Sequence, residues 1–465
     1  MSIDAVLSRI DADLDRSLER LFDFLRIPSI STDPAYDAEC RRAADWMAAM
    51  LAEMGFETSV RPTTGKPMVI AHSGALAPAP APASGRDKIL FYGHYDVQPV
   101  DPLELWESDP FAPKIVEDAG GRKVISARGA ADDKGQLMTF VEAVRAWLAV
   151  HGTLPAPMVL LFEGEEESGS PSLDGFLDDH SAELEADVAF VCDTGMFDKQ
   201  TPAVCVSLRG LVGEEIVVTA ADRDLHSGLF GGAARNPNHV LAKILGDLHD
   251  ADGRVTVPGF YDDILEMPAA MKAQWDTLPI TAETFLGGVG LSEPAGERGR
   301  SVLEQIWSRP TAEVNGMIGG YTGEGFKTVI PAKASAKVSF RLVPGQDPAT
   351  VREAFRAFVR ERLPADCTVA FSPHGAGGAF RVAMDWPYLA LGRRALEAEW
   401  GRPAVMSGMG GSIPIVHAFR DRLGMESLLI GFGNRDDRIH SPNEKYEMTS
   451  FHKGIRSWAR LLAEL

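Results

Sequence analysis

The chain has 465 residues, 45% of them hydrophobic and 24% charged, and a formal net charge of −20. That length exceeds what one core commonly serves and predicts two domains of a soluble, globular protein. The acidic balance argues against nucleic acid, whose binding rests on cationic contacts to phosphate, and no window approaches ~18 uncharged apolar residues, so no membrane span is expected.

Cys40, Cys192, Cys205 and Cys367 lie far apart and form no CxxC pair. A thiolate zinc site is therefore not expected, and the pattern suits a reducing compartment. The N-terminus lacks the basic start and unbroken apolar core of a signal peptide, so a cytoplasmic location is expected.

Apolar residues from Ile3 through Val6, Leu7, Ile10, Leu14, Leu18, Leu21, Phe22 and Leu25 recur at the helical period, and Pro28 stops the run. A second helix is predicted near Glu39 to Met54, closed by Gly55. ALAPAPAPASG (75–85) reads as an extended loop. Four short apolar runs then end in polar residues: KILFY before GHYDV, MVLLF before EGEEE, DVAFVC before Asp193, and SLLIGF before GNRDDRIHSPNE. Helical stripes at Leu137–Leu148 and Phe451–Leu462 complete the pattern. Strands alternating with helices predict an α/β fold with a mostly parallel sheet sandwiched by helices. Residues 209–374 differ in texture: EEIVVTA and ASAKVSFRLV alternate as strands with one solvated face do. VREAFRAFVRERL, which follows the second of these runs, is helical. We read 1–208 with 375–465 as one discontinuous domain, and 209–374 as an inserted, smaller α+β domain.

The reactive residues sit where those strands end. His94 and Asp96 follow one strand, Glu166 and Glu167 another, and Asp193 and His440 two more, while Asp132 and Asp133 open a helix. Open α/β sheets collect their sites at the carboxyl ends of strands. Each piece alone has a plain reading: a turn histidine, an Asp at a helix start, a solvated acidic turn at EGEEESGS. Independent coincidences do not explain five polar clusters on one edge. Carboxylates and imidazoles without thiolates suit zinc, manganese or cobalt, and a carboxylate can bridge two such ions in a hydrolytic centre. There is no GxSxG elbow, although GMGGSIP resembles one loosely; HExxH, a P-loop and a helix-opening GxGxxG are also absent.

FYGHYDVQP, SARGAADDKG, LFEGEEESGS, DLHSG, KTVIPAKASAKVSFRLVP, GGSIP and HSPNE together resemble the dinuclear-zinc peptidase and deacylase family. Its members include carnosinase, cytosolic non-specific dipeptidase, glutamate carboxypeptidase, acetylornithine deacetylase and succinyl-diaminopimelate desuccinylase. The resemblance spans about Tyr92 to Glu444 and is closest to the dipeptidase branch. It implies two divalent ions per subunit, zinc first, with manganese or cobalt as alternatives. By resemblance Asp132 bridges them, His94 and Asp193 complete one ion's protein ligands, and Glu167 and His440 complete the other's. Glu166 is then the general base toward a metal-activated water, Asp96 orients His94, and the Asp132–Asp133 peptide is cis. His226 of DLHSG would stabilise the oxyanion from the inserted lid, often that of a partner subunit. Arg341 would clamp a substrate carboxylate, with Thr328, Gly411 and Ser412 as further substrate contacts. The implied activity is hydrolysis of dipeptides or short peptides, with N-acyl-amino-acid deacylation as the alternative, by a homodimer joined through the lid. Glu163 and Glu165 receive no role and are either solvated or behind the ligands.

Overall fold

The computed structural model describes residues 2–78, 87–411 and 413–465. Most of the 75–85 loop, and Ser412, lie outside the described residues. The chain forms two compact units: Met1–Val206 with Val382–Ser407 and Pro414–Leu465, and Ser207–Arg381 with Gly408–Ile413.

The first unit is built on a sheet whose strands run in the order Glu57–Arg61, Met68–His72, Met158–Glu163, Ile89–His94, Val188–Val191, Ser427–Leu429 and Ala203–Leu208. The middle four are mutually parallel, and the flanking pairings are antiparallel. Every residue of Ile89–His94, Met158–Glu163 and Val188–Val191 is buried. This is why these strands read as unbroken apolar runs rather than alternations. Helix Lys134–His151 covers one face, with Phe140 stacked on Phe91 at 3.8 Å between ring centroids. The C-terminal helix Met448–Ala463 packs beside it, and Trp458 donates its indole N–H to Thr139 Oγ1 at 3.1 Å. Lys134, fully buried, donates from Nζ to the carbonyls of Phe24 and Ile27, where the N-terminal helix Ile3–Leu25 ends. Those carbonyls also accept the Ile27 and Ser29 N–H groups, so Lys134 adds a second donor to each and ties the start of its own helix to the turn that ends Ile3–Leu25.

The second unit carries a four-stranded antiparallel sheet in the order Thr311–Gly319, Lys333–Leu342, Gly210–Thr219 and Thr368–Gly377. Gly210–Thr219 alternates strictly between buried and half-buried residues, as expected for one solvated face. Helix Pro348–Glu361 crosses from Lys333–Leu342 to Thr368–Gly377, burying Val351, Phe355, Phe358 and Val359. Where the sequence reading drew this insert as 209–374, the unit runs further. The last strand continues to Gly377, and Phe380–Arg381 pairs with Leu208 and Ser207.

Candidate dinuclear metal centre

The four parallel strands all deliver residues to one edge. His94 is the last residue of its strand, Glu166 and Glu167 form a short turn after Met158–Glu163, Asp193 follows Val188–Val191, and His440 lies in the loop after Ser427–Leu429. Close backbone packing sets Asp193: a Cβ at Gly431 would lie 2.1 Å from the Thr194 carbonyl oxygen, so only glycine fits. The His440 loop holds Arg438, His440 and Asn443 at φ of 58°, 61° and 63°. That left-handed backbone costs a non-glycine residue roughly 1–2 kcal/mol. The Asn443 side chain offsets part of it by donating to the Leu105 carbonyl and accepting from the Glu107 N–H.

Asp132 sits at the centre. One of its oxygens lies 3.1 Å from His94 Nε2, and the other lies 2.9 Å from His440 Nε2. His440 Nε2 is also 3.0 Å from Glu167 Oε2. Two groups of ligand atoms, His94–Asp132–Asp193 and Asp132–Glu167–His440, each lie within 4.8 Å of one another. They share Asp132. The Asp132–Asp133 peptide is cis.

The neighbours fix orientation. His94 Nδ1 is 3.1 Å from the Asp96 carbonyl oxygen and 3.4 Å from its carboxylate. Nδ1 therefore donates to Asp96, and in the metal-free chain Nε2–H donates to Asp132. Burial works to lower the ring, but its bonds to Asp132 and Asp96 hold it well above the usual histidine range, and a bound ion would take the place of the Nε2 proton. Asp96 also accepts from the backbone N–H groups of Glu166 and Glu167, at 3.3 and 3.1 Å. One carboxylate thus ties the His94 turn to the Glu166–Glu167 turn. Gln98 donates to Glu167 Oε2 at 2.8 Å. Asp133, which the sequence suggests as a helix cap, makes no capping bond. It accepts instead from the His94 N–H at 3.2 Å.

Electrostatics test the fit of cations. Burial pushes the Glu166 carboxyl well up, aided by Asp193, Glu167 and Asp132 and opposed by His94. Burial and Asp132 likewise raise Asp193. Burial works to raise Asp132 as well, but hydrogen bonds to His440 and His94 hold it low. His440 rises to about 10 through its bonds to Asp132 and Glu167. The carboxyls outnumber the imidazoles, and the nitrogen and oxygen donors suit divalent ions of the zinc or manganese type. The residues present fit two such ions.

The remaining predicted residues belong to the second unit. His226 is exposed, and its Nδ1 accepts from the Gly228 N–H at 3.0 Å. That leaves Nε2 as the N–H donor. Thr328 is its neighbour: the Ser227 N–H donates to the Thr328 carbonyl. Gly411 is half-buried. Arg341 is half-buried on Lys333–Leu342. Burial, with Arg341 nearby, lowers the Arg209 guanidinium to about 10, so two cationic side chains sit near each other. Sequence reasoning missed Arg209, whose SLRG context carries no pattern. It also left Glu163 and Glu165 open to a solvated reading. The structure buries both, with Glu163 receiving the Tyr92 hydroxyl at 2.6 Å and Glu165 the Lys66 N–H at 2.9 Å.

Residues 90–464 match the model of Peptidase family M20/M25/M40. The chain belongs to that family. It is 30% identical to Cys-Gly metallodipeptidase dug1 of Schizosaccharomyces pombe, over 100% of this chain and 98% of that protein. It is 26% identical to human Beta-Ala-His dipeptidase, over 100% and 92%. Among solved structures it resembles an M20 family metallo-carboxypeptidase, Sso-CP2 from Sulfolobus solfataricus, with a TM-score of 0.82 and 30% identity over 96% of this chain and 98% of that one. It also resembles the dipeptidase Dug1p from Saccharomyces cerevisiae, with a TM-score of 0.78 and 26% identity over 100% and 98%. As an M20 peptidase it is a metal-dependent hydrolase. Among the described residues no helix is long and apolar enough to cross a membrane.

Proposed function

We propose that this M20 peptidase is a dipeptidase that hydrolyses the amide bond of dipeptides with a two-metal centre. The observation that carries the reading is Asp132, common to two ligand groups, with Glu166 half-buried and in electrostatic contact with their carboxylates. His94, Asp132 and Asp193 would hold one ion and Asp132, Glu167 and His440 the other, with zinc the expected metal. Bound there, the ions would polarise the amide carbonyl, acidify a water and bring the Glu166 carboxyl down into its ionised form.

The chain's own residues do the rest. Glu166 accepts a proton from the attacking water as the new C–O bond forms, then delivers it to the leaving amine nitrogen as the C–N bond breaks. Asp96 keeps the Glu166–Glu167 backbone and the His94 ring in register for this. His226, with Nε2–H free to donate, would stabilise the oxyanion from the lid, and in a homodimer the partner subunit's copy would supply it. Arg341 would clamp the substrate carboxylate, a task suited to a planar guanidinium; Thr328, Gly411 and Ser412 would line the same substrate.

The dipeptidase names of full-length relatives support dipeptides over N-acyl amino acids. A panel of Cys-Gly, β-Ala-His, tripeptides and N-acetyl amino acids, assayed with zinc, manganese and cobalt, tests the choice. Turnover confined to N-acyl amino acids would overturn it.

A further inference from the structure

Glu444 lies four residues beyond His440 and is fully buried. It immediately precedes the strand Lys445–Glu447, which pairs antiparallel with Lys123–Ser126, and its own carbonyl accepts from the Ala127 N–H. This register sets its side chain beneath the turn that leads to Asp132. Both carboxylate oxygens are used. Oε2 takes Arg128 Nη1 at 2.7 Å and the Gly129 N–H at 3.1 Å. Oε1 takes the Ala131 N–H at 2.8 Å and the Asp132 N–H at 3.2 Å. All the partners donate, so the cradle accommodates a carboxylate and no hydrogen-bond donor.

A charge-balancing role for Arg128 alone would need only one of those oxygens. The other is committed to the backbone of the residue shared by both ligand groups. We propose that Glu444 is a positioning residue for the metal centre. Through Oε1 it locks the Asp132 backbone to the segment that carries His440, so that ligands about 310 residues apart in sequence keep one spacing. The inference rests on the di-metal reading above. Residues behind a ligand commonly set metal affinity by 10–100-fold.

The test is titration of metal-free, full-length protein with Co2+, followed by calorimetry and by the visible d–d absorption of the bound ion. Thermal unfolding of the metal-free protein is measured alongside. Glu444→Gln puts an amide NH2 against donors, and should weaken Co2+ binding about 10–100-fold and alter the absorption bands. Because Glu444→Gln strands the buried Arg128 charge, the double variant Arg128→Met/Glu444→Gln is measured too. It should regain the Tm lost by the single variant and keep the loss of affinity. A folded Glu444→Gln protein within about threefold of wild-type affinity would overturn the proposal. So would a double variant that recovers affinity and spectrum together with Tm. Wild-type protein that takes up no Co2+ would instead overturn the di-metal reading itself.

Discussion

Glu163→Gln should make the stability of the metal-free protein less dependent on pH. Glu163 is fully buried, and burial pushes its carboxyl from 4.5 to about 7 against the hydrogen bond from Tyr92. Across that window the folded chain keeps a proton that the unfolded chain has released. Stability is therefore fully present below the unfolded value and is lost as pH rises through the folded one. At about 1.4 kcal/mol per pH unit, the loss totals about 3 kcal/mol. Glutamine keeps an acceptor for the Tyr92 hydroxyl but has nothing to ionise. In urea unfolding with chelator present, wild type should lose about 2–3 kcal/mol relative to the variant between about pH 5 and about pH 8. Parallel profiles for the two proteins would refute the reasoning, because they would mean that Glu163 titrates alike in both states.

Glu166→Gln should bind metal normally and lose about 10²–10⁴ in kcat, the usual contribution of a positioned acid–base group; near-normal kcat would remove it as the base. Arg341→Ala should raise KM about 10–100-fold for dipeptides, as loss of a charge-assisted hydrogen bond would, and change little for C-terminally amidated substrates; equal loss on both would reject the clamp. His226→Ala should depress kcat about 10²–10³-fold, in the range of a lost oxyanion donor. If the partner subunit supplies that histidine, mixing this variant with Glu166→Gln should restore part of the activity. A fully active monomer in sedimentation would rule out the partner's role.

The convergence of His94, Glu166, Glu167, Asp193 and His440 is legible in the sequence because each ends or follows a fully buried strand. Such strands show as unbroken apolar runs, and the polar residue that ends each run marks the sheet edge. The supporting contacts are not legible. Glu444 meets Asp132 across 312 residues, and no local pattern records a hydrogen bond of that span. EGEEESGS misleads for the same reason. Four glutamates in five residues look solvated, yet Glu163 and Glu165 turn inward onto Tyr92 and the Lys66 backbone, partners remote in sequence. In the second unit, strand Thr311–Gly319 has no clean alternation, since Val314, Met317 and Ile318 are exposed and the ladder bulges between Val314 and Gly316. Its period is broken before any sequence rule can read it.

The central claim is that two ions sharing Asp132 carry peptide hydrolysis. It is tested most directly by titrating metal-free protein with zinc while following both bound metal and the cleavage of a dipeptide. Wild type should bind two ions per chain and depend on them for activity, and Asp132→Ala should lose tight binding of both. Full dipeptide turnover after exhaustive chelation, or Asp132→Ala protein that still binds two ions as wild type does, would contradict it.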